Sequence, residues 1–339
     1  MSTTTRLTEK HSNRRQNFWQ DFQVVGLPLR KLALGLGAVL AVAGVTALII
    51  WGHSQPKFHK PLPYVYQDTR HLVIYVEDAA RLIEKRGPAA FREFSVRGSR
   101  WLHGSHYLFV YDINGVCLFH PAIPELVGWN LLHFKDINGK PVVRWITDIG
   151  RRPQPDASGW LFYLWQAPTD LTPTWKMSYI RKAIGPDGMV YLVGSGLHHF
   201  KIEPIFVRRD VDRAAKLLQS QGERAAFARF RDRGSRFFFC DTYIYVMNDK
   251  GECLVDPAFP HMEMRDLTTC KDALGHHMVK EMLQRLQNHN TAWVQYMIPK
   301  PGSNLPCRKL AYLRKVKVNG QTLIVGADFF QATPIWMKQ

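Results

Sequence analysis

The chain has 339 residues, about twice the length of a typical domain, which favours two domains that each bury a core. The apolar fraction of 46% is typical of globular protein, and the formal charge of +17 indicates anionic surroundings such as phospholipid head groups or an acidic ligand. Lys and Arg are scattered along the chain and no nucleic-acid-binding motif accompanies them, which argues against DNA or RNA as a partner.

The first predicted element is a transmembrane helix over residues 32–51. This segment contains neither a charge nor a proline, and about 20 helical residues span the hydrocarbon core of a bilayer. Positive charges precede it, at Arg6, Lys10, Arg14, Arg15, Arg30 and Lys31. Because positively charged flanks stay on the cytoplasmic side, we predict a cytoplasmic segment 1–31, a linker 52–65 and extracytoplasmic domains beyond it.

Two further interpretations concern this helix. Residues 41–43, Ala-Val-Ala, resemble a small-residue cleavage site, so the segment could be a cleaved signal peptide. Cleavage would leave the apolar stretch 45–51 exposed on the mature protein, which favours a retained anchor. Ala33, Gly37 and Ala41 recur every four residues, a small-residue spacing that would let two helices approach closely and form a homodimer.

The chain beyond the linker contains two copies of one sequence unit. Segment 76–82 aligns with segment 211–217, and each reaches a glycine five residues later. Further matches keep the same order: Gly87 with Gly222, Arg97-Gly98-Ser99-Arg100 with Arg233-Gly234-Ser235-Arg236, Gly115 and Cys117 with Gly251 and Cys253, Trp160 with Trp293, Lys176 with Lys309, and Val193-Gly194 with Val325-Gly326. Such a colinear series indicates two repeated domains, which we place at 66–201 and 202–335.

Each copy is predicted to be an α+β unit. Apolar residues recur at helical spacing from Leu72 to Ile83, and the helix is expected to end at Gly87, with a shorter helix around 89–94. Segments rich in β-forming residues flank the turn-forming stretch 112–115, which predicts a hairpin. A helix then leads to 160–165, and closing strands follow at 176–183 and 189–194. A helix followed by an antiparallel sheet is typical of the α+β class.

The first copy carries a dense motif at its predicted hairpin. The motif runs Tyr107-x-x-Val110-Tyr111-Asp112-x-x-Gly115-x-x-x-x-His120-Pro121-Ala122-x-Pro124-x-Leu126-x-Gly128-x-Asn130-Leu131-Leu132, and Lys135-Asp136-x-x-Gly139-Lys140-Pro141, Gly159-Trp160 and Lys176-x-Ser178-Tyr179-Ile180 follow. This series resembles the Cache family, specifically its single-Cache class, over nearly the whole first copy. The second copy keeps much of the pattern but has Asp256 in place of His120 and lacks a counterpart of Gly128.

The resemblance implies two tandem PAS-like domains outside the membrane, each with a long N-terminal helix, that capture small molecules such as short carboxylates. It also implies a bacterial inner membrane, with the C-terminal domains in the periplasm. Modules of this family commonly feed a chemoreceptor, kinase or cyclase inside the cell. Only about 31 residues precede the predicted span, and nothing in the chain resembles an output domain. We therefore expect a membrane signalling or transport partner to relay the signal.

A carboxylate ligand requires a cation with further hydrogen-bond donors in a mostly apolar cleft. Lys176 and Tyr179 offer this combination, although a spacing of three places them on opposite faces of a regular strand unless a bulge intervenes. The candidate binding residues are Tyr107, Tyr163, Trp165, Lys176 and Tyr179 in the first copy, and Tyr243, Tyr296, Lys309 and Tyr312 in the second. The changes at His120 and Gly128 favour the first copy as the binder.

No other chemistry has a recognisable pattern in the sequence. The five cysteines have no metal-ligand spacing; Cys270 and Cys307 could form a disulfide, and buried free thiols are the alternative. The adjacent histidine pairs lack a third ligand at a typical spacing, and no catalytic or nucleotide-binding motif occurs. We therefore expect no metal, no cofactor and no enzymatic activity.

These observations lead to two hypotheses for the function. The first is a membrane-anchored extracytoplasmic protein that binds a short organic acid and relays through a partner. The second is a scaffold or modulatory subunit of a membrane signalling or transport complex that binds no small ligand.

Overall fold

The structure is a computed structural model of the chain and describes residues 61–167, 170, 172–299 and 305–331. The predicted cytoplasmic segment, 1–31, and the predicted transmembrane helix, 32–51, lie outside these residues. Across the described ranges, no helix combines the length and the apolar composition that crossing a bilayer requires. The chain divides into two units, Met1–Pro61 and Leu62–Gln339. Of the first unit only Pro61 is described, and all helices and strands named here belong to the second.

Helices and antiparallel sheets follow one another along this second unit, which confirms the α+β class. The α-helices of the described ranges are α1 (Gln67–Arg86), α2 (Ala90–Phe94), α3 (Val142–Gly150), α4 (Pro204–Arg231) and α5 (Met278–Leu286). The strands are β1 (Phe109–Asp112), β2 (Cys117–Phe119), β3 (Ser158–Gln166), β4 (Pro173–Ile184), β5 (Val190–Leu197), β6 (Phe238–Phe239), β7 (Thr242–Tyr243), β8 (Tyr245–Asn248), β9 (Cys253–Val255), β10 (Thr291–Pro299), β11 (Pro306–Val318) and β12 (Gln321–Phe330).

Most of these strands form two five-stranded sheets with the same topology. The first sheet has the order β2-β1-β5-β4-β3, and the second has the equivalent order β9-β8-β12-β11-β10. All strand pairs are antiparallel, and β6 and β7 form a separate two-stranded ribbon. The predicted hairpin of each copy is confirmed as β1–β2 and β8–β9, at the edge of its sheet.

The helix that opens each copy ends at a glycine, as predicted. In α1, Val76, Ala79, Ala80 and Ile83 are fully buried in the core beneath the first sheet, and Gly87 follows the last helical residue with φ of 55°. In α4, Gly222 has φ of 75° and interrupts the helix at the equivalent place. A positive φ is unfavourable for residues with a Cβ, so a glycine sets the end of the helix in both copies.

Side chains alternate between the two faces of β4, and each face contacts a different layer. Tyr179 and Ala183 belong to the core beneath α1, whereas Ile180 belongs to the core beneath α3. Because the period of a strand is two residues, Lys176 and Ser178 share the α3 face with Ile180. The same division applies to β11, where Tyr312 lies in the core beneath α4 and Leu313 in the core beneath α5.

Buried polar contacts join the two copies within the unit. Lys140 is fully buried, and its ammonium group donates to the backbone carbonyls of Ser235 and Phe238, at 2.6 Å each. The buried carboxylate of Glu203 accepts the backbone amides of Val65 and Tyr66, at 2.8 and 2.9 Å. These bonds satisfy groups that would otherwise be buried without a partner, and they fix one copy against the other.

The end of the predicted linker, 52–65, is part of the folded unit. Tyr64 packs edge-on against Trp160 with ring centroids 5.4 Å apart, and its hydroxyl accepts the indole N–H at 2.9 Å. Sequence periodicity gives no indication of this contact, because the segment is irregular and its partner lies on β3. Residues 62–65 therefore belong to the folded unit, and 52–60 lie outside the described residues.

All five cysteines lie in the described ranges, and all are free thiols. The predicted alternative of a disulfide between Cys270 and Cys307 is thus wrong. Cys117 and Cys253 are buried on equivalent strands, where they pack as small apolar side chains.

Candidate ligand-binding site

Lys176 occupies the centre of the candidate site on the first sheet. It is 1% exposed, and its ammonium group donates to the hydroxyl of Tyr107 at 2.7 Å. Its Nζ also lies 4.3 Å from the centroid of the Tyr107 ring and 5.4 Å from that of Phe109. No carboxylate of the described residues pairs with it. Burial without a counter-ion disfavours the charged form, which lowers the pKa of Lys176 to about 7.

Trp165 and His120 add hydrogen-bond donors beside this lysine. The indole Nε1 of Trp165 is buried and lies beside the Tyr107 side chain, without a hydrogen bond of good geometry among the described residues. His120 is 2% exposed, and its Nδ1 accepts the amide of Ile123 at 3.0 Å. Burial and the charge of Lys176 lower the pKa of His120 to about 3. The neutral ring therefore carries its proton on Nε2, which becomes a donor.

Aromatic rings complete the surroundings of the ammonium group. The ring centroid of His120 lies 5.2 Å from that of Tyr107 and 6.1 Å from that of Trp165. Tyr163 is opposite Lys176 in the β3–β4 ladder, and its hydroxyl forms a hydrogen bond with Ser178 at 2.9 Å. The structure thus brings together four predicted residues, Tyr107, Tyr163, Trp165 and Lys176, in a buried environment rich in donors. Such an environment suits an anion.

Tyr179, the fifth predicted residue of the first copy, lies on the other face of the sheet. Its hydroxyl donates to Glu77 of α1 at 2.8 Å, and its ring packs against Trp160 at 5.0 Å between centroids. No bulge interrupts β4 between Lys176 and Tyr179, so the spacing of three residues separates their side chains. The prediction that both line one pocket is therefore wrong.

The equivalent site on the second sheet contains an internal ion pair. Lys309 and Asp328 form a salt bridge with Nζ and Oδ1 2.7 Å apart, and their side chains are 7% and 3% exposed. The hydroxyl of Tyr296 donates to the other carboxylate oxygen of Asp328. Tyr243 lies beneath Lys309, with the ring centroid 5.5 Å from Nζ. The predicted residues Tyr243, Tyr296 and Lys309 are thus together, and Asp328 neutralises the lysine.

Tyr312, the remaining predicted residue, lies on the face of its sheet opposite to Lys309, as Tyr179 lies opposite to Lys176. It packs against Trp293 with centroids 4.9 Å apart, in the core beneath α4. Three residues along a regular strand again separate it from Lys309, so this prediction is also wrong.

A cavity of about 270 Å³ adjoins the ion pair of the second sheet. Its wall includes Tyr243, Tyr245, Tyr296 and the two acidic residues Asp256 and Asp328, and methionines from β8, α5 and their neighbourhood cover its apolar side. A single water occupies about 30 Å³, so this volume can hold a small organic molecule.

Two exchanges add carboxylates to the site of the second sheet: Asp256 stands in place of His120, and Asp328 in place of Gly196. Strand pairing places Gly196 opposite Ser178 in the first sheet and Asp328 opposite Ala311 in the second, so glycine and aspartate occupy equivalent positions. A Cβ on Gly196 would lie 2.3 Å from the Ser178 hydroxyl oxygen and 2.7 Å from Cε of Lys176. The first sheet therefore leaves Lys176 without an internal carboxylate.

The predicted binding residues do not include three that lie at these sites, His120, Asp256 and Asp328, although the sequence comparison had noted the exchange of His120 for Asp256. The exchange of His120 for Asp256 is visible where the two copies are aligned. The exchange of Gly196 for Asp328 lies two positions beyond the aligned pairs Val193-Gly194 and Val325-Gly326, so continuing the alignment would have found it. The charge contrast between the copies is thus encoded in the sequence.

Within the described ranges, no group of three or more His, Cys, Asp and Glu side chains is placed to hold a metal ion. His103 and His106 stack on each other with ring centroids 5.1 Å apart and exchange backbone hydrogen bonds.

The chain was compared with protein families and with known proteins. A Cache domain model, dCache_2, matches residues 93–330 in one stretch. No curated protein gives a significant match. Among solved structures, similarity is found to a periplasmic sensor domain of a chemotaxis protein, with 26% identity over 40% of this chain and 100% of that chain and a TM-score of 0.33.

Two further structures are similar at lower identity. A Cache chemosensory domain described for carboxylic acid recognition has 19% identity over 37% of this chain and 91% of its own, with a TM-score of 0.33. A methyl-accepting chemotaxis protein from Vibrio parahaemolyticus has 22% identity over 39% of this chain and 88% of its own, with a TM-score of 0.31. The family match extends over both sheets and more than half of the sequence, and on that match the chain belongs to the Cache domain family, whose members are extracytoplasmic sensory domains that bind small ligands.

Proposed function

We propose that this protein is a membrane-anchored sensor whose first sheet binds a short organic acid outside the cytoplasm. The observation that carries the proposal is the buried ammonium group of Lys176, which has no counter-ion among the described residues. A ligand carboxylate would supply that counter-ion. It could also accept hydrogen bonds from the donors of Tyr107, Trp165 and His120, and charge-assisted bonds of this kind are stronger than neutral ones.

The proposed architecture is two tandem single-Cache domains, 66–201 and 202–335, behind one transmembrane helix at 32–51. The equal strand order of the two sheets and the colinear sequence matches support the two copies. In this proposal the bound state is passed to a membrane signalling or transport partner. Localisation follows from the positive residues that precede the helix, which favour a cytoplasmic N-terminus and periplasmic domains.

Thermal unfolding with a panel of short mono- and dicarboxylic acids tests the proposal. An acid at about 100 times its dissociation constant should stabilise the folded chain by about 2.7 kcal/mol. Replacing Lys176 with methionine should then lower the affinity for the tightest-binding acid by about tenfold to a hundredfold, because a hydrogen bond to a charged group contributes roughly 1.5–3 kcal/mol. Isothermal titration calorimetry measures the two dissociation constants.

Lys182→Met is the matched control for this substitution. Lys182 lies on the same strand and the same face, it is also buried, and its ammonium group donates to the carbonyl of Arg152 at 3.0 Å rather than to the candidate site. Affinity for the acid should stay close to that of the parent. The proposed function would be contradicted if no acid of the panel stabilised the chain, or if the parent and Lys176→Met bound the acid with equal affinity.

Affinity for the acid is expected to fall as the pH rises above about 7. The free chain loses the Lys176 proton with a pKa of about 7, whereas a bound carboxylate favours the ammonium form and raises this pKa. Binding above pH 7 must therefore take up a proton, and the affinity should drop by up to about tenfold per pH unit until the complex itself deprotonates. Titrations between pH 6 and 9, in buffers of different ionisation enthalpy, measure both the affinity and the proton uptake. A flat profile would show that Lys176 does not change its protonation on binding.

A further inference from the structure

We propose that the cavity on the second sheet is a separate binding site for a small organic cation, such as a primary amine. This site is distinct from the organic acid site on the first sheet, and its charge is opposite. The argument rests on the residues that differ between the two equivalent sites.

The cavity on the second sheet has an excess of negative charge. Asp256 and Asp328 both line it, and among the described residues its wall contains one lysine, Lys309, no arginine and one histidine, His261. Lys309 pairs directly with Asp328 at 2.7 Å and acts on Asp256 only as a nearby charge, so one lysine faces two carboxylates. On the first sheet the equivalent positions hold His120 and Gly196, and the lysine there is the unpaired charge.

The carboxylate of Asp256 has an oxygen available to a ligand. Oδ1 of Asp256 accepts the backbone amides of Ala258 and Phe259 at 3.1 and 2.9 Å, which fixes the side chain in place. Both of these bonds end at Oδ1, so Oδ2 is the oxygen that remains for a ligand. Burial and the nearby charge of Asp328 raise the pKa of Asp256, and an ammonium group bound at Oδ2 would offset both effects.

Tyr245 supplies a second acceptor in the cavity. Its hydroxyl is buried and has no hydrogen-bond partner in the part of the chain that the structure describes. The ring lies flat on β12, where a Cβ on Gly326 would approach Tyr245 Cζ to 2.4 Å. The first sheet has Phe109 against Gly194 in the same arrangement, so the hydroxyl is a polar addition specific to the second copy. A buried hydroxyl without a partner is unfavourable, and a ligand N–H would satisfy it.

Apolar and aromatic side chains provide space for the hydrocarbon part of the ligand. Met247, Met282 and Val279 cover one side of the cavity, and the rings of Tyr243 and Tyr296 cover another. Methionine adapts to ligands of different shape, and tyrosine faces attract cations. The cavity also shares Phe259 and Lys309 with an adjoining groove of about 790 Å³, which offers a route of entry.

Calorimetric titration of the full-length chain with n-butylamine, n-butanol and butyrate at neutral pH tests this proposal. The amine should bind, and the alcohol of the same length should bind at least about tenfold more weakly, since it lacks the charge. Asp256→Asn keeps the Oδ1 acceptor and the size of the side chain, and it should lower the affinity for the amine by about tenfold or more. Tyr245→Phe introduces the residue type of the equivalent position in the first sheet, Phe109, and should lower the affinity for the amine severalfold.

A variant in each site shows whether the two sites bind independently. Lys176→Met should leave the affinity for n-butylamine unchanged, and Asp256→Asn should leave the affinity for butyrate unchanged. The cation site is excluded if the amine does not bind, if n-butanol binds as tightly as n-butylamine, or if Asp256→Asn has no effect on the amine. Amine binding without butyrate binding would instead count against butyrate as a ligand of the first sheet while supporting the cation site.

Discussion

Replacing Asp328 with alanine is expected to lower the free energy of unfolding by about 3–5 kcal/mol, because it leaves a buried ammonium group without its counter-ion. Asp328 is 2% exposed, pairs with Lys309 at 2.7 Å and accepts the hydroxyl of Tyr296. Lys309 and Tyr296 both lose their partner within one buried cluster. Urea denaturation should show a lower midpoint, and the melting temperature should fall by roughly 2–4 °C for each kcal/mol.

Glu281→Ala is the control, because it removes an ion pair that is exposed to solvent instead of a buried one. Glu281 pairs with Arg285 at 2.8 Å on the exposed surface of α5, and its removal should change the stability by less than about 0.5 kcal/mol. The double variant Lys309→Met/Asp328→Ala should recover much of the loss, since it removes both charges. A stability of Asp328→Ala within about 1 kcal/mol of the parent would show that Lys309 reaches water or another acceptor.

The double substitution Ser178→Ala/Gly196→Asp is expected to abolish binding of the organic acid to the first sheet. It reproduces the pair Ala311 and Asp328 of the second sheet. Removing the Ser178 hydroxyl takes away the atom that would lie 2.3 Å from the new Cβ. The flexible end of Lys176 and the backbone carbonyl oxygen of Met177, each 2.7 Å from that Cβ, still have to shift, in the asparagine control as well. The introduced carboxylate would then pair with the ammonium group and exclude the ligand, with a loss of about tenfold to a hundredfold in affinity.

Ser178→Ala/Gly196→Asn is the matched control, because it adds a side chain of the same shape without the charge. This variant should keep more of the affinity than the aspartate variant does, and Ser178→Ala alone should stay close to the parent. Calorimetry on the three variants measures the difference. Equal losses for the asparagine and aspartate variants would mean that crowding, rather than neutralisation of Lys176, prevents binding.

The secondary structure was predictable because its causes are local. Apolar residues at helical spacing and a closing glycine indicate α1, and the turn-forming stretch 112–115 indicates the hairpin β1–β2. Each of these patterns occurs in both sequence units, which strengthened the predictions. Where the chain is irregular, as at Tyr64, neither periodicity nor composition indicated its contact with Trp160.

The candidate site was predictable only in part. Residue type selected Lys176 and Tyr107 from distant segments, and the structure brings the Lys176 ammonium nitrogen within 2.7 Å of the Tyr107 hydroxyl oxygen. Residue type also selected Tyr179 and Tyr312, and the two-residue period of their regular strands places both on the face that packs against α1 or α4, away from the lysines. The alternation of a strand therefore decides against them, as the spacing of three already indicated.

The sequence by itself determined the α+β class and the kinds of side chain available for binding, and its internal matches indicated two similar units, since all of these follow from local periodicity and from matches along the chain. Only the tertiary structure decided which charges meet. Asp328 pairs with Lys309 because β11 and β12 are neighbours in the second sheet, whereas Gly196 leaves Lys176 unpaired at the equivalent place in the first. Such pairing depends on strand register and burial, because a charge that loses its hydration needs its partner in space and not in sequence.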